Sequence, residues 1–338
     1  SSSYMAVRYY NSSGSGKYLH NVRFIKNNIS GGYYNFYLYY PGSGTTEMSN
    51  GSASITIDSN TITDAYYYGI YSYYYGFYPS ISYNTITSRS TSGGYYGIYT
   101  NYYHTIPLMV GNKIHVNCSS TGYGMRLYYY HNYSTTYGSN GPGLLANNEI
   151  IINGAGTKYA MYIYNNSRWN IINNSIYVGP GASTVYGIYR YTTSTSYQMN
   201  VVNNNIVVAA TGTTYPIYIS STTYATAAYG IVDYNNYYSN GTYLGYMGSA
   251  NTTLAAMKAY QNANSVNMLP AYINVANSLE LSDYSGLLCP RYTGVSNDIK
   301  GEARTTLTPM GADSTYVFEG YDMGIDAVVA PVNTDEVF

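Results

Sequence analysis

Charge is the scarcest property of this 338-residue chain: Asp, Glu, Lys and Arg make up 9% of it, against roughly 25% in ordinary soluble domains. The few charges are also segregated. Residues 1–240 hold ten Lys and Arg against five Asp and Glu, and the remainder holds four against ten. The positive residues are dispersed and form no basic run, so the electrostatic footprint of a nucleic-acid binder is missing. Cysteine occurs only as Cys118 and Cys289, too far apart in sequence to read as a metal motif or redox pair. No apolar stretch reaches the roughly 18 residues that cross a membrane as a helix, so this segment is not expected to insert. Ser1 opens the chain without a basic-then-apolar leader, and the expectation is a processed piece of a longer exported protein.

What the chain has in abundance is tyrosine, 52 residues, and glycine, 34. An apolar share of 45% is that of a folded protein, with Asn, Ser, Thr and phenol hydroxyls supplying the polarity that charge does not. The pattern is periodic. Asn precedes an apolar run at Asn27-Asn28-Ile29, Asn60-Thr61-Ile62, Asn84-Thr85-Ile86, Asn112-Lys113-Ile114, Asn148-Glu149-Ile150, Asn174-Ser175-Ile176, Asn204-Asn205-Ile206 and Asn235-Asn236-Tyr237. A second marker alternates with it: Tyr68-Gly69-Ile70-Tyr71, Tyr96-Gly97-Ile98-Tyr99, Tyr123-Gly124-Met125-Arg126, Tyr159-Ala160-Met161-Tyr162, Tyr186-Gly187-Ile188-Tyr189 and Tyr215-Pro216-Ile217-Tyr218.

Successive second markers stand 27 to 36 residues apart. Each period holds short alternating strands between polar turns, and no stretch of ten residues at helical spacing. Three strands and three turns per period predict an all-β fold, a right-handed single-stranded parallel β-helix over residues 1–240. At about 4.8 Å per coil the Asn markers span roughly 35 Å of axis. An amide carries both a donor and an acceptor, so the markers are expected to form an inward ladder from coil to coil.

These residues resemble the pectin-lyase-like right-handed β-helix proteins, and more closely the β-helix modules of large surface proteins exported by Bacteroidota. The most specific part is Asp233 to Gly241, then Thr253 to Gln261, Asn264-Ser265-Val266, Asp298 to Arg304 and Pro309 to Asp313. The resemblance implies an extracellular, cell-surface location and a modular parent. Residues 241–320 are then a C-terminal cap containing a short α-helix, and residues 321–338 a linker or first strand of a following module. Lys300 stands where related modules carry an acidic residue, which weakens an ion-binding role for that turn.

Many such β-helices depolymerise polysaccharides, and the sequence offers little for that chemistry. A hydrolase needs two carboxylates roughly 5–9.5 Å apart, and a lyase needs clustered carboxylates and a base. Asp58 and Asp233 lie six coils apart, and Asp58 and Asp64 flank one Asn turn without an acidic neighbour in the next coil. His104 and His131 each follow a marker by seven residues and are expected to stack on the surface, with no further ligand to make a metal site. No cofactor or metal is expected.

Strand parity points instead to tyrosine. The residues after each marker Gly point inward, so the second position, Tyr71, Tyr99, Arg126, Tyr162, Tyr189 and Tyr218, is expected to face solvent. The fourth, Tyr73, Asn101, Tyr128, Tyr164 and Tyr191, follows the same parity. Tyr74, Tyr102 and Tyr129, and then Tyr75, Tyr103 and Tyr130, extend the strip into a turn. Two accounts stand side by side: rings that only stack between coils, and an exposed aromatic face that binds. The leading expectation is a non-enzymatic adhesin or surface-fibre module, a rigid spacer presenting this face to glycans, surface polymers or other surface-protein chains. A polysaccharide lyase or glycoside hydrolase is the alternative. Ice binding ranks lower, because the Thr-Ile-Thr pattern lasts only two coils.

Overall fold

Asn and the residue before it set the corner of every coil. In the computed structural model, which describes residues 4–12, 18–42, 54–89, 93–129, 142–165, 168–191, 199–220 and 230–314, the preceding residue is always left-handed: Lys26, Ser59, Tyr83, Gly111, Asn147, Asn173, Asn203 and Tyr234 have φ of 53–69°. That conformation bends the chain between two strands and turns the next side chain into the core. The marker Asn then joins its successor twice. Asn112 donates from its backbone N and from Nδ2 to Asn148 Oδ1, at 2.9 and 3.0 Å. Its second Nδ2 hydrogen goes to the Ile81 carbonyl at 2.9 Å. The same bonds recur from Asn60 to Asn84, Asn84 to Asn112, Asn148 to Asn174, Asn174 to Asn204 and Asn204 to Asn235. Ser265 Oγ accepts the last backbone N–H, from Asn235. The predicted ladder is thus a fully bonded polar spine in a core of Ile, Val, Leu and Met.

Each coil contributes one strand to each of three parallel sheets. The ladder sheet has eight strands, from Asn28–Ser30 to Asn236–Ser239, with Ile29, Ile62, Ile86, Ile114, Ile150, Ile176, Ile206 and Tyr237 in one inward column. A second sheet has ten strands and runs from Met5–Tyr10 to Ala250–Asn251. The third is split into a three-stranded part beginning at Val22–Ile25 and a five-stranded part beginning at Leu108–Val110. Parallel pairing across every interior junction is what successive right-handed coils require. The extra length of the longest period falls between Tyr128 and Gly143, leaving the strand register intact.

The segment after the last coil has two tasks. Gly245–Met247 turns back against Ala250–Asn251 as the one antiparallel pair of its sheet, which ends that edge. The helix α1, Leu254–Lys258, capped by the Thr253 hydroxyl, then lays Met257 over the core. Met257 comes so close to Gly245 that a Cβ there would lie 2.9 Å from its Cε. From Val266 onward the chain returns along the outside of the Asn corners. Asn236 Nδ2 bonds to the Met268 carbonyl, Asn203 Nδ2 to that of Pro290, and Asn147 Nδ2 to that of Asn297. Buried Glu149 accepts from Leu279 N at 2.8 Å and pairs with His115 at 3.1 Å. Both cysteines are free and buried. Residues 321–338, expected to be a linker or first strand of a following module, the last six residues of the expected cap, and Tyr130 and His131 lie outside the described residues.

Candidate functional site

The tyrosines gather on the outer face of the ten-stranded sheet, and a repeated irregularity sets their positions. In Tyr68–Tyr73 both Gly69 and Ile70 are buried, then Tyr71 and Tyr73 alternate outward with Ser72 inward. Thr157–Tyr164 repeats the pattern around Ala160 and Met161. Two consecutive inward residues act as a bulge, so the residue before the marker Gly faces out as well. Glycine fits this column because the next coil is close: a Cβ on Gly97 would lie 2.5 Å from the Gly124 carbonyl oxygen. The consequence is a column that alternation from the marker does not reveal.

That column is the most continuous of all. Tyr34, Tyr68, Tyr96, Tyr123, Tyr159, Tyr186, Tyr215 and Tyr243 stack with centroid separations of 4.6–5.5 Å and planes within 17° of parallel. The expected second-position column runs beside it. Tyr162, Tyr189, Tyr218 and Tyr246 stack at 4.9, 4.9 and 4.4 Å, and Tyr37 stacks on Tyr71 at 5.3 Å. Rings of the two columns meet edge to face, as at Tyr159–Tyr162 and Tyr186–Tyr189, with planes 84° and 82° apart. In the fourth-position column Tyr128 stacks on Tyr164 at 4.5 Å and Tyr164 on Tyr191 at 4.9 Å. The array is a herringbone: rings of the Tyr34–Tyr243 column and of the Tyr162–Tyr246 run meet parallel neighbours in adjacent coils, whereas Tyr71 meets Tyr99 at 61°.

Tyr71, Tyr73, Tyr128, Tyr162, Tyr164, Tyr189, Tyr191 and Tyr218 point outward and are half-buried by one another. Tyr99 departs from the expected exposure. It is 8% exposed, because Asn101, itself 5% exposed, donates from Nδ2 to its hydroxyl at 3.0 Å and Arg126 covers its ring. Arg126 fills the tyrosine position of its coil. Its guanidinium carbon lies 4.9 Å from the Tyr99 centroid, 4.6 Å from Tyr128 and 5.5 Å from Tyr162, a set of cation–π contacts that bridges the break. Burial opposes its charge, the surrounding phenols outweigh that, and its pKa is raised. Burial among neutral rings raises the phenols too: Tyr34, Tyr128 and Tyr159 are each pushed up to about 12, with mutual repulsion between neighbouring phenolates adding to the effect. The face is therefore a sheet of neutral hydroxyls at physiological pH, with no carboxylate in its columns.

Carboxylates elsewhere in the described coils are tied into the structure. Asp64 pairs with Arg89 at 3.0 Å. Asp233 accepts from Tyr234 N, Asn264 N and Asn264 Nδ2, each at 2.8 Å. Burial raises the pKa of Asp58, against hydrogen bonds from Ser59. His104 is not on the surface as expected. Gly76–Phe77 and His104–Thr105 form a small ladder of their own that draws the ring inside. There its Nε2 lies 2.8 Å from Ser72 Oγ, which accepts from Tyr78 OH at 2.6 Å. Burial pushes its pKa down to about 3. This Ser–His pair is sealed from solvent and serves the core.

In the return segment, carboxylate atoms of Asp298, Glu302 and Asp313 lie within 4.8 Å of one another. Asp298 accepts from Lys300 N, Glu302 N and Ser314 N. The Lys300 ammonium reaches Asp313 at 3.0 Å and Glu280 at 2.7 Å, so a lysine supplies the positive charge of this turn.

The model of a right handed beta helix region matches residues 6–206, from the first strand to the ladder strand that follows the seventh Asn marker. The chain belongs to that family. No curated protein and no solved structure matches this β-helix. The signal for the tyrosine column that alternation misses was present, since the Tyr preceding each Gly belongs to the marker itself.

Proposed function

We propose that this β-helix is a rigid, non-enzymatic spacer of a cell-surface adhesin or surface fibre, making contact through its tyrosine face. The observation that carries the reading is the herringbone of tyrosine columns along nearly the whole ten-stranded sheet. Such a face is large, uncharged apart from Arg8 and Arg126, and pre-ordered by its own stacking. Rigid rings lose little entropy on contact, which favours binding by Tyr. The geometry also refines the mode. Ring faces are engaged by neighbouring coils, so a glycan or protein partner meets ring edges and hydroxyls, with hydrogen bonds in place of face-on sugar stacking.

The test is the double variant Tyr162→Ser/Tyr189→Ser, studied by glycan array or cell attachment beside a melting curve. Loss of stacking alone lowers stability by about 1–2 kcal/mol and leaves attachment unchanged, which would reduce the chain to a spacer. The proposal expects attachment to fall further than stability. Incubation with acidic and neutral polysaccharides, with and without calcium, is expected to release no unsaturated or reducing ends; their appearance would overturn the non-enzymatic reading.

A further inference from the structure

We propose that the tyrosine columns are sites of oxidative coupling, in which a one-electron oxidant such as a peroxidase with hydrogen peroxide joins tyrosines of consecutive coils into dityrosine. The inference is independent of adhesion and rests on how the rings are paired.

Coupling requires two phenoxyl radicals whose ortho carbons face each other. Parallel in-register strands provide this arrangement, because successive tyrosines of a column leave the sheet in the same direction with their hydroxyls on the same side. Tyr218 and Tyr246 are 4.4 Å apart at 16°, and Tyr128 and Tyr164 are 4.5 Å apart at 18°. Both pairs are joined by register. Their rims are open to an oxidant, since Tyr128, Tyr164, Tyr218 and Tyr246 are only half-buried. Competing groups are shielded: Trp169 is 0% exposed, and Cys118 and Cys289 are buried.

The balance is simple. Each phenol gives one electron to the oxidant and its proton to water, leaving a phenoxyl radical. Two radicals form one bond between ortho carbons, and the hydrogens on those carbons return to the phenol oxygens. In sum two tyrosines and one hydrogen peroxide give one dityrosine and two waters; the rings are oxidised and the peroxide oxygens reduced. A column also lets the radical pass from ring to ring until a second one is met. Every bond formed would tie one coil to the next, a covalent staple in a protein whose two cysteines make no disulfide.

Arg126 supplies an internal control. It separates Tyr99 from Tyr162 in the second-position column, so these two should not couple. The experiment treats the purified chain at low micromolar concentration with a peroxidase and hydrogen peroxide, follows dityrosine emission, and maps linked peptides by mass spectrometry after proteolysis. The expected result is Tyr128–Tyr164 and Tyr218–Tyr246 peptides, each lighter than the sum of its parts by two hydrogens. The chain should stay monomeric on a denaturing gel and melt at a higher temperature. Tyr164→Phe keeps the ring and the stack but forms no phenoxyl radical; it should abolish the first linked peptide and spare the second. Links found only between separate chains would overturn the proposal. So would a Tyr99–Tyr162 link as abundant as the stacked pairs, or intramolecular links that persist at Tyr128 with equal yield in the Phe variant.

Discussion

The guanidinium of Arg304 donates from Nη2 to Asn147 Oδ1, 2.8 Å away and 157 positions earlier in the chain. The same group reaches Thr308 Oγ1 and the carbonyls of Pro309, Gly311 and Ala312. It is 2% exposed, and burial pulls its pKa down to about 10, so it remains charged at neutral pH. Replacing it by Met leaves several buried acceptors without a donor, at a cost of about 2–4 kcal/mol. The effect should be local at first: hydrogen exchange is expected to speed up in residues 266–314 before it does in the coils. Uniform acceleration would show that the return segment and the coils unfold as one unit.

The spine supports a second test. Asn148→Leu removes the acceptor for two Asn112 donors and the donors to Met109 O and Asn174 Oδ1. Because all these groups are buried, the loss should be about 2–4 kcal/mol in a urea titration. Asn27→Ala, at the exposed first rung, should cost under about 1 kcal/mol.

His104 gives the acid limb. Its folded pKa of about 3 lies below the ordinary value of 6.5, so on acidification the unfolded chain takes up a proton that the folded chain refuses. Its contribution is fully present above about pH 6.5 and declines as pH falls toward 3, with a slope of at most about 1.4 kcal/mol per pH unit. His104→Gln should flatten stability over that window. An unchanged slope would place the acid sensitivity in other groups.

Tyrosine governs the alkaline limb with the opposite sign. Phenols raised by burial contribute stability that is fully present below pH 10 and lost as pH rises through 10 toward their folded values, about 12 for Tyr34, Tyr128 and Tyr159. Phenolate absorbance of the folded chain should therefore lag behind that of the chain in denaturant. Coincident titration curves would contradict the packed herringbone.

The period, the ladder and two tyrosine columns were legible in the sequence because each depends on a residue type that repeats. Asn112 and Asn148 announce themselves in this way. The left-handed corners did not, since Lys26, Ser59, Tyr83 and Gly111 share a conformation and no chemistry. The column from Tyr34 to Tyr243 was hidden by the assumption of strict alternation, which the double inward step at Gly69 and Ile70 breaks. Burial of Tyr99 and His104 follows from neighbours a coil away, Arg126 and Ser72, which a local reading of one strand does not place. The path of residues 266–314 along the Asn corners depends on contacts more than a hundred positions apart, such as Leu279 with Glu149.

The return segment divides the molecule mechanically. Under tension from the N-terminal end, coils that touch only their neighbours peel singly, and one of about 28 residues lengthens the tether by roughly 95 Å. The coils that carry Asn147, Ser175, Asn203 and Asn236 are clasped from outside through Asn297, Ala312, Pro290 and Met268. They are loaded in parallel through that clasp, so a pulling trace should show a run of low, even force peaks followed by one taller event.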